Sequence, residues 1–432
     1  METSAAPAIT VTAWPDCPSR LLGDRPGHSR ESYQAYREVG GYLSLDDADE
    51  LLHEVERSGL QGRGGAAFPL AVKLRTVRDN GRLAGGCVVV ANGEEGEPAS
   101  IKDRWLLRHR PHLILDGLRL AAAMVSADRA YVYVSDAESA RSVETALTEY
   151  AFGGITIELF SVEPGYIAGE ETAVTRAING GPVKPTDKPP RPFQKGVGGL
   201  PTLVSNVETL ANLPYLQRHG SAAFRSLGTS SSPGTLLVTL TGGGRPPGLY
   251  EIPHGLPFRE LLALHGVSSE QVQGALLGGY FAGLLDRAVL DATLDHETLR
   301  GLGSGLGCGA IAVITEDCPV AVAASVLAYF DRENAGQCGS CFNGTAAMAA
   351  AAGALRDGAA TSEDLDRLRR WSVVLRGRGA CATLDAATNV AASLLDQFPQ
   401  AVAHHLENTC ETCRAHAFSA QRPYEAEAVI CA

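Results

Sequence analysis

The segment Gly62–Phe68, with the sequence GRGGAAF, contains residue types that suit an anionic ligand. Most of its residues are glycine or alanine, so a ligand phosphate or ring can approach the backbone without meeting a bulky side chain. Backbone N–H groups and the guanidinium of Arg63 together provide donors for an anion. Because glycine-rich turns are common, this segment alone does not specify the ligand.

Three further segments combine polar side chains with small residues. They are Asn92–Pro98 (NGEEGEP), Gly165–Thr172 (GYIAGEET) and Asn206–Asn212 (NVETLAN). Carboxylates accept hydrogen bonds, and amides both donate and accept them. We take these segments as candidates for contacts to polar ligand atoms. For Asn206 and Thr209 the alternative is that they only cap the helix that follows.

Ten cysteines provide a second set of candidate ligands, and seven of them lie after residue 317. In a reducing cytosol this clustering favours metal or redox chemistry over a disulfide framework. Cys338 and Cys341 form a Cys-x-x-Cys pair, and Cys381 follows. We expect the remaining cysteines before residue 320 to be small buried hydrophobic residues or incidental; these are Cys17, Cys87, Cys308 and Cys318.

A second Cys-x-x-Cys pair, Cys410 and Cys413, lies near the C-terminus. Two further Cys or His ligands would complete a tetrahedral zinc site. The candidates nearby in the sequence are His404, His405, His416 and Cys431. A second iron–sulfur cluster, a redox dithiol and a free tail remain as alternatives.

Composition limits the class of protein. A chain of 432 residues with 45% hydrophobic residues predicts a globular protein of two to four domains. The net charge of −12 argues against nucleic-acid binding. We find no apolar run long enough to insert into a membrane and no signal peptide, so we expect a cytoplasmic protein.

Alternating strands and helices would position the polar segments. The sequence predicts strands at 87–91, 130–134 and 155–159 and helices at 45–57, 113–125 and 138–150. This alternation is typical of parallel βαβ units, in which ligands bind at the carboxyl ends of the strands. Asn92–Pro98 directly follows the first strand and would therefore line that crevice.

The remaining regions differ in character. Residues 1–35 have no periodicity and predict a loose arm, and the Pro- and Gly-rich segment 181–201 predicts a binding loop over a pocket. Residues 235–300 read as a small α+β module. From Val320 onward the chain is rich in alanine and predicts a helix bundle.

Together and in this order, the motifs resemble the FMN-binding flavoprotein of respiratory complex I, which is the family of NADH-quinone oxidoreductase F subunits. Flavoproteins of related hydrogenases and formate dehydrogenases share the pattern. The resemblance runs from about Gly40 to about Phe398 and also includes Lys102–Arg104. It implies an α/β fold with an N-terminal arm (1–39), a Rossmann-like FMN- and NAD-binding domain (40–232), a ubiquitin-like SLBB (β-grasp) domain (233–305) and a helical iron–sulfur domain with a cysteine-containing tail (306–432).

The resemblance also implies which residues bind the flavin and the nicotinamide nucleotide. Acidic residues would contact the nicotinamide mononucleotide half and its ribose hydroxyls, namely Glu95, Glu97, Glu170 and Glu171, although a solvated acidic loop is the alternative for Glu97. The implied cofactor-binding residues are Gly62, Arg63, Gly64, Gly65, Phe68, Lys73, Asn92, Glu94, Glu95, Glu97, Tyr166, Gly169, Glu170, Glu171, Asn206 and Thr209. Hydride transfer needs no protein acid or base at the reacting carbon, so we assign no catalytic residue.

The residues that would stack on the adenine depart from the family pattern. The family uses aromatic residues there. Phe68 is present, but Thr76 and Arg191 stand at the other two positions, with Phe193 two residues further on. Because an arginine can stack on adenine or bind a phosphate, the sequence leaves NADH, NADPH and a different donor open.

The cluster motif departs from the family pattern as well. By resemblance, Cys338, Cys341 and Cys381 lie where the family binds a 4Fe–4S cluster, but Ala335 replaces the first cysteine. Such clusters normally have four thiolate ligands. A cluster with a non-cysteine fourth ligand such as Asn334, a 3Fe–4S cluster, zinc and no metal all remain open.

The function that the resemblance implies is a flavoprotein oxidoreductase of the NADH dehydrogenase type. It would pass electrons from NAD(P)H through FMN and an iron–sulfur cluster to a protein partner. We expect a ferredoxin or a thioredoxin-like iron–sulfur subunit as that partner, within a multisubunit complex. The alternatives are a ferredoxin-linked flavoprotein that uses a donor other than NADH, and a non-catalytic FMN-binding scaffold subunit that has lost its cluster.

Overall fold

The structure is a computed structural model, and it describes residues 9–15, 17–23 and 29–416. Its helices α1 to α17 span, in chain order, Tyr33–Glu38, Ala48–Ser58, Leu70–Ala84, Lys102–His109, Pro111–Val125, Ala137–Glu149, Glu171–Ile178, Val207–Ala211, Leu213–Phe224, Phe258–His265, His296–Gly301, Pro319–Glu333, Gly339–Arg356, Ser362–Val374, Thr383–Gln397, Pro399–Glu407 and Glu411–His416. Its strands β1 to β12 span Thr10–Ala13, Val88–Asn92, Arg129–Val134, Thr156–Ser161, Thr202–Asn206, Thr235–Gly242, Gly248–Pro253, Leu256–Pro257, Gly274–Leu277, Leu284–Leu285, Thr293–Leu294 and Ala310–Ile314. Among these helices, none has the length and apolar character needed to cross a membrane.

The first sheet is parallel and has the strand order β4-β3-β2-β5. The predicted strands 87–91, 130–134 and 155–159 correspond to β2, β3 and β4. The β-branched run Val88–Val90 is buried on both faces because helices cover the sheet. The chain builds outward from β2 to β4 and then returns to place β5 on the other side of β2. This reversal creates a crevice at the carboxyl ends of β2 and β5, where Asn92 lies opposite Asn206.

Helix α2 determines where the glycine-rich segment begins. Asp47 caps its N-terminus, with Oδ1 accepting from two backbone N–H groups. Gly59 ends the helix in the left-handed conformation, with φ of 69°. The chain then turns, and Leu70 N donates to Leu60 O at 2.9 Å where α3 begins. The segment between these two points is thus a loop anchored at both ends.

The second sheet is mixed and has the strand order β1-β7-β6-β12-β9-β10. Strand β12 lies in its centre, parallel to β6 and antiparallel to β9. The sheet therefore continues beyond residue 305, where the sequence suggested a boundary. We propose that this domain extends to Ile314.

The N-terminal segment differs from the expected loose arm. Strand β1 pairs in parallel with β7 at the edge of the second sheet. The carboxylate of Glu251, which is fully buried on β7, accepts hydrogen bonds from the backbone N–H groups of Arg20, Leu21 and Leu22 at 2.9–3.0 Å. Composition alone did not predict this docking because the carboxylate lies about two hundred residues away in the sequence.

The C-terminal part is the predicted helix bundle, formed by α12 to α17. Small residues allow close packing: a Cβ at Gly344 would lie 2.7 Å from Leu375 Cδ1. Helix α12 packs against both α13 and α15. Two cysteines occupy N-cap positions in the bundle, Cys318 before α12 and Cys338 before α13, and neither makes a side-chain capping hydrogen bond.

Candidate functional site

The glycine-rich loop lies on the carboxyl end of β5. Gly62 N donates to Phe68 O at 2.9 Å and closes the loop. Arg63 N donates to Thr209 Oγ1 at 2.8 Å. A Cβ at Gly64 would lie 3.2 Å from Asn206 Cβ, so the absence of a side chain allows this close approach. The structure thus brings the first and the last of the predicted segments together.

The Arg63 side chain has a different environment from the one predicted. It is only 4% exposed, and Nη2 donates to the carbonyls of Thr235 at 3.0 Å and Pro233 at 3.4 Å. Glu208 lies 3.9 Å from its Nε. Because these contacts engage the guanidinium, we assign it to holding the loop against β6 rather than to binding a phosphate.

Lys73 is a second cation at the site. Its Nζ donates to Val204 O at 2.6 Å, near the end of β5, and lies 3.8 Å from Glu171 Oε2. Burial lowers the pKa of Lys73, and Glu171 acts in the opposite direction. The side chain keeps a quarter of its surface exposed. A ligand phosphate near β5 would add a second negative charge beside this ammonium and would favour its charged form.

The end of β2 and the loop before α7 form a tight polar corner. Asn92 Nδ2 donates to Gly169 O at 2.8 Å. A Cβ at Gly169 would lie 2.7 Å from Glu94 Oε2, which explains the glycine. Burial raises the pKa of Glu94 to about 8, even though the backbone N–H groups of Gly165 and Gly96 oppose this shift. The raised pKa favours the protonated form of Glu94, whose hydroxyl can donate.

Glu95 and Glu97 are directed away from this corner. Glu95 accepts from Asp103 N at 3.1 Å and Arg104 N at 2.9 Å, so it caps the start of α4. Glu97 packs against Gly279, where an added Cβ would overlap the Glu97 carboxylate. Burial raises the pKa of Glu97 to about 8. Both residues therefore have contacts within the protein, and their predicted contacts to the nucleotide stay predictions.

The other two acids remain near the crevice. Glu170 caps α7, accepting from Thr172 N at 2.8 Å, and pairs with Lys188. Glu171 lies between two cations, Lys73 at 3.8 Å and Arg191 at 3.3 Å. The sequence did not predict that Arg191, at an expected stacking position, would pair with an expected nucleotide-binding acid.

Of the two aromatic residues near the expected stacking positions, Phe68 has a ring that is exposed enough to stack on a base, and Phe193 does not. Phe68 is 52% exposed. Thr76 Oγ1 donates to Val72 O at 2.8 Å, back along its own helix. Phe193 is partly buried and packs against the main core. Phe193 therefore does not substitute for a missing aromatic surface.

A buried ionic network holds Asn206 in place at the crevice. Lys102 Nζ lies 2.8 Å from Asp103 Oδ1 and 2.9 Å from Glu208 Oε2. Burial alone would lower the pKa of Lys102, but these two carboxylates raise it overall. Asn206 Nδ2 donates to Asp103 Oδ2 at 2.6 Å, and its Oδ1 caps α8 by accepting from Glu208 N. Sequence reasoning noted Lys102–Arg104 as a motif but assigned it no role.

An aromatic junction connects the crevice to the helix bundle. The ring of Tyr166 meets Phe330 edge-on at 5.2 Å and Tyr329 at 5.8 Å. Tyr329 Oη donates to Gly96 O at 3.2 Å. The segments predicted to hold the flavin are therefore in direct contact with α12, which leads to the predicted cluster residues.

The three predicted cluster cysteines line one small cavity, together with Pro185, Ala335, Gly336, Gln337, Gly379 and Ala380. We call this the cluster cavity. Ala380 N donates to Cys338 Sγ at 3.4 Å, a contact that suits a thiolate ligand. Burial, with Cys381 and Cys338 nearby, raises the pKa of Cys341 to about 12. The chemistry of this lining fits an iron–sulfur cluster, with Ala335 at one wall and Lys184 Nζ donating to its carbonyl at 2.8 Å.

The second Cys-x-x-Cys pair has partners that the sequence only partly predicted. The donor atoms of Cys318, His405, Cys410 and Cys413 all lie within 4.8 Å of one another. We call these residues the Cys318 group. Cys318 is buried in the core, as one of the two expectations held, but it is not isolated there, because the bundle folds α16 and α17 back onto the start of α12. Cys431 and the side chain of His416 lie outside the described residues.

Two family descriptions match this chain. The "Nuo51 FMN-binding domain" matches residues 55–215, and the "NADH-ubiquinone oxidoreductase-F iron-sulfur binding region" matches residues 321–405. These two matches cover the crevice and the cluster cavity.

Similar whole proteins agree with these matches. The F 2 subunit of NADH-quinone oxidoreductase in Rhizobium meliloti is 33% identical over 410 residues, covering 89% of this chain and 96% of that protein. NADP-reducing hydrogenase subunit HndC of Solidesulfovibrio fructosivorans is 31% identical, covering 93% of this chain and 86% of that protein. A chain in the crystal structure of an air-oxidized NAD+-reducing NiFe-hydrogenase superposes with a TM-score of 0.80 at 28% identity, covering 92% of this chain and 72% of that one.

Proposed function

On the premise that this chain belongs to the family of NADH-quinone oxidoreductase F subunits, we propose that it is a flavoprotein oxidoreductase. It takes hydride from a reduced nicotinamide nucleotide and passes electrons to a partner protein. One observation carries the proposal: the glycine-rich loop is seated where Asn92 and Asn206 face each other at the point of strand reversal. That point is where open α/β sheets bind their ligands.

Residues of the crevice fit FMN. The N–H groups of the loop beyond Arg63 and the ammonium of Lys73 would hold its phosphate. The amide of Asn92 and the protonated carboxyl of Glu94 would hydrogen-bond to polar ring or ribityl atoms, since both groups can donate there. When bound, FMN supplies the chemistry that accepts a hydride and releases its two electrons one at a time.

Glu170 and Glu171 favour NADH over NADPH. A carboxylate accepts well from ribose hydroxyls and repels a 2′-phosphate. Phe68 presents an exposed ring on which a base can stack. Arg191 is the residue that favours the opposite preference, because a 2′-phosphate would compete with Glu171 for its guanidinium.

Electrons leave toward the cluster cavity, across the junction of Tyr166 with α12. Cys338, Cys341 and Cys381 would hold an iron–sulfur cluster there, which supplies one-electron chemistry when bound. The partner is an electron-carrier protein, either a ferredoxin or a thioredoxin-like iron–sulfur subunit, in a multisubunit assembly. A second candidate function uses reduced ferredoxin as donor instead of NADH, and the replaced stacking residue Thr76 favours it.

Anaerobic titration of one preparation tests the proposal. We expect about one FMN per chain and bleaching of the flavin absorption band by NADH, with a weaker response to NADPH. Absence of bleaching by either nucleotide would exclude the NAD(P)H function. Bleaching by a reduced ferredoxin alone would support the second candidate.

A matched pair of glycine variants tests the position of the flavin. Gly169→Ala places a methyl group 2.7 Å from Glu94 Oε2 and should reduce flavin content several-fold. Gly165→Ala lies in the same segment but meets no atom within 4 Å, and it should retain flavin. Equal flavin content in the two variants would place FMN elsewhere.

A further inference from the structure

The Cys318 group has the geometry of ligands around one metal ion. Cys318 Sγ lies 3.5 Å from His405 Nε2, and Cys413 Sγ lies 3.3 Å from the same nitrogen. A sulfur and a nitrogen bound to one tetrahedral zinc ion are about 3.5 Å apart, given the usual bond lengths. Cys410 Sγ completes the set, with all four donor atoms within 4.8 Å of one another.

The orientation of His405 supports the same arrangement. Its Nδ1 donates to Ala401 O at 2.7 Å. A carbonyl oxygen only accepts, so Nδ1 carries a proton, and in the neutral ring the lone pair of Nε2 is directed at the sulfur atoms. A backbone carbonyl that fixes the tautomer in this way is typical of metal-binding histidines. The ring is buried, whereas the neighbouring His404 is exposed and is not part of the group.

We propose that Cys318, His405, Cys410 and Cys413 form a structural zinc site that fastens the C-terminal helices to the start of α12. Three thiolates and one imidazole are a ligand set that zinc prefers. Four protein ligands leave no open position for a substrate or water. A multinuclear cluster would place its ligands on different irons and hold them further apart than these converging atoms.

The position of the site explains what the zinc ion does. Cys318 precedes α12, while Cys410 and Cys413 lie around the start of α17 and His405 lies on α16. One ion would therefore join the ends of three helices. The cluster cavity lies at the other end of α12, whose fifteen residues span about 22 Å. The zinc ion is thus distant from the electron route.

This site is separate from the family's iron–sulfur region. That region matches residues 321–405 and includes Cys338, Cys341 and Cys381. All three cysteines of the Cys318 group lie outside it. The two groups of cysteines therefore belong to different parts of the bundle.

Metal analysis of the full-length protein tests the proposal directly. We expect about one zinc per chain in addition to iron. Absorption spectroscopy at the zinc K-edge should show three sulfur neighbours at about 2.3 Å and one nitrogen at about 2.0 Å. This measurement uses the native protein, so it does not depend on whether a variant folds.

Neighbouring histidines provide a matched pair of variants. His405→Ala should reduce zinc content at least several-fold, whereas His404→Ala should retain one zinc per chain. Cys17→Ala, which removes a cysteine outside the group, should also retain it. Absence of zinc, iron bound at these residues in its place, or a disulfide between two of these cysteines in the native protein would overturn the proposal.

Discussion

The cluster cavity and the Cys318 group lie at opposite ends of α12 and begin from the same sequence motif, a Cys-x-x-Cys pair. They differ in how their sulfur atoms are arranged. In the Cys318 group the donor atoms converge within 4.8 Å. Among the residues that the structure describes, Cys338, Cys341 and Cys381 do not form such a group. The converged set suits one ion, and the spread set suits a cluster with several irons.

The surroundings of the two sites also suit different numbers of metal atoms. The cluster cavity has a backbone N–H donor to a sulfur and an alanine where a fourth ligand is expected. The Cys318 group has four donors and a histidine fixed by a carbonyl. A Cys-x-x-Cys motif alone thus predicts metal binding, and on our proposal the third and fourth partners determine how many metal atoms are bound.

The largest effect that tests this comparison is expected from Cys341→Ser. Loss of this ligand leaves two thiolates in the cluster cavity, too few to hold a cluster. Iron and acid-labile sulfide should fall to near zero, while zinc remains at about one per chain. NADH should still bleach the flavin, but electron transfer to a protein acceptor should fall to background. Cys87→Ser, at a buried cysteine remote from both sites, is the control. Simultaneous loss of zinc and iron would contradict the separation of the two sites.

The converse variant, Cys318→Ser, should have a smaller and different effect. We expect loss of zinc, full retention of iron and flavin, and a melting temperature lower by roughly 5 °C, because α16 and α17 lose their attachment. Differential scanning calorimetry with metal analysis on the same sample measures both changes. Unchanged thermal stability after loss of zinc would show that the ion does not fasten these helices.

The sequence predicted the parts of the molecule whose determinants are local. The β-branched run before Asn92 specifies a buried parallel strand, and its carboxyl end fixes where polar residues can meet a ligand. For the same reason the loop after Gly59 and the helical character beyond Val320 were predictable. The end of the second sheet was not predictable, because β12 pairs with strands that lie much earlier in the sequence.

Residues with distant partners could not be assigned in this way. The carbonyls that engage the Arg63 guanidinium lie about 170 residues away, so its type suggested a phosphate. Cys318 and His405 are 87 residues apart. The signal that could have suggested their pairing was a histidine five residues before a Cys-x-x-Cys, combined with a cysteine immediately before a helix that begins with proline.

Restoring a cysteine at position 335 would test the difference between the two sites at the cluster cavity. Ala335→Cys provides a fourth thiol at the wall of the cluster cavity. A cluster with four cysteine ligands should lose iron in air several-fold more slowly than one with three. Iron content followed over time, with electron paramagnetic resonance of the oxidised sample, measures this. Ala360→Cys, a partly buried alanine remote from the cavity, is the control. Equal rates of iron loss in Ala335→Cys and the native protein would mean that position 335 does not face the cluster.

The smallest effect is expected from Lys184→Ala. The Nζ of this exposed lysine donates to the Ala335 carbonyl and places a positive charge beside the cluster cavity. An exposed contact of this kind contributes little to folding, so the free energy of unfolding should change by less than about 0.5 kcal/mol. Removing the charge should lower the reduction potential of the cluster, because the added electron loses a favourable interaction. Lys195→Ala removes an exposed lysine that has no role in the cavity and should leave the potential unchanged. Redox titration of both variants would separate these outcomes, and an unchanged potential in Lys184→Ala would place the electron-accepting group away from this wall.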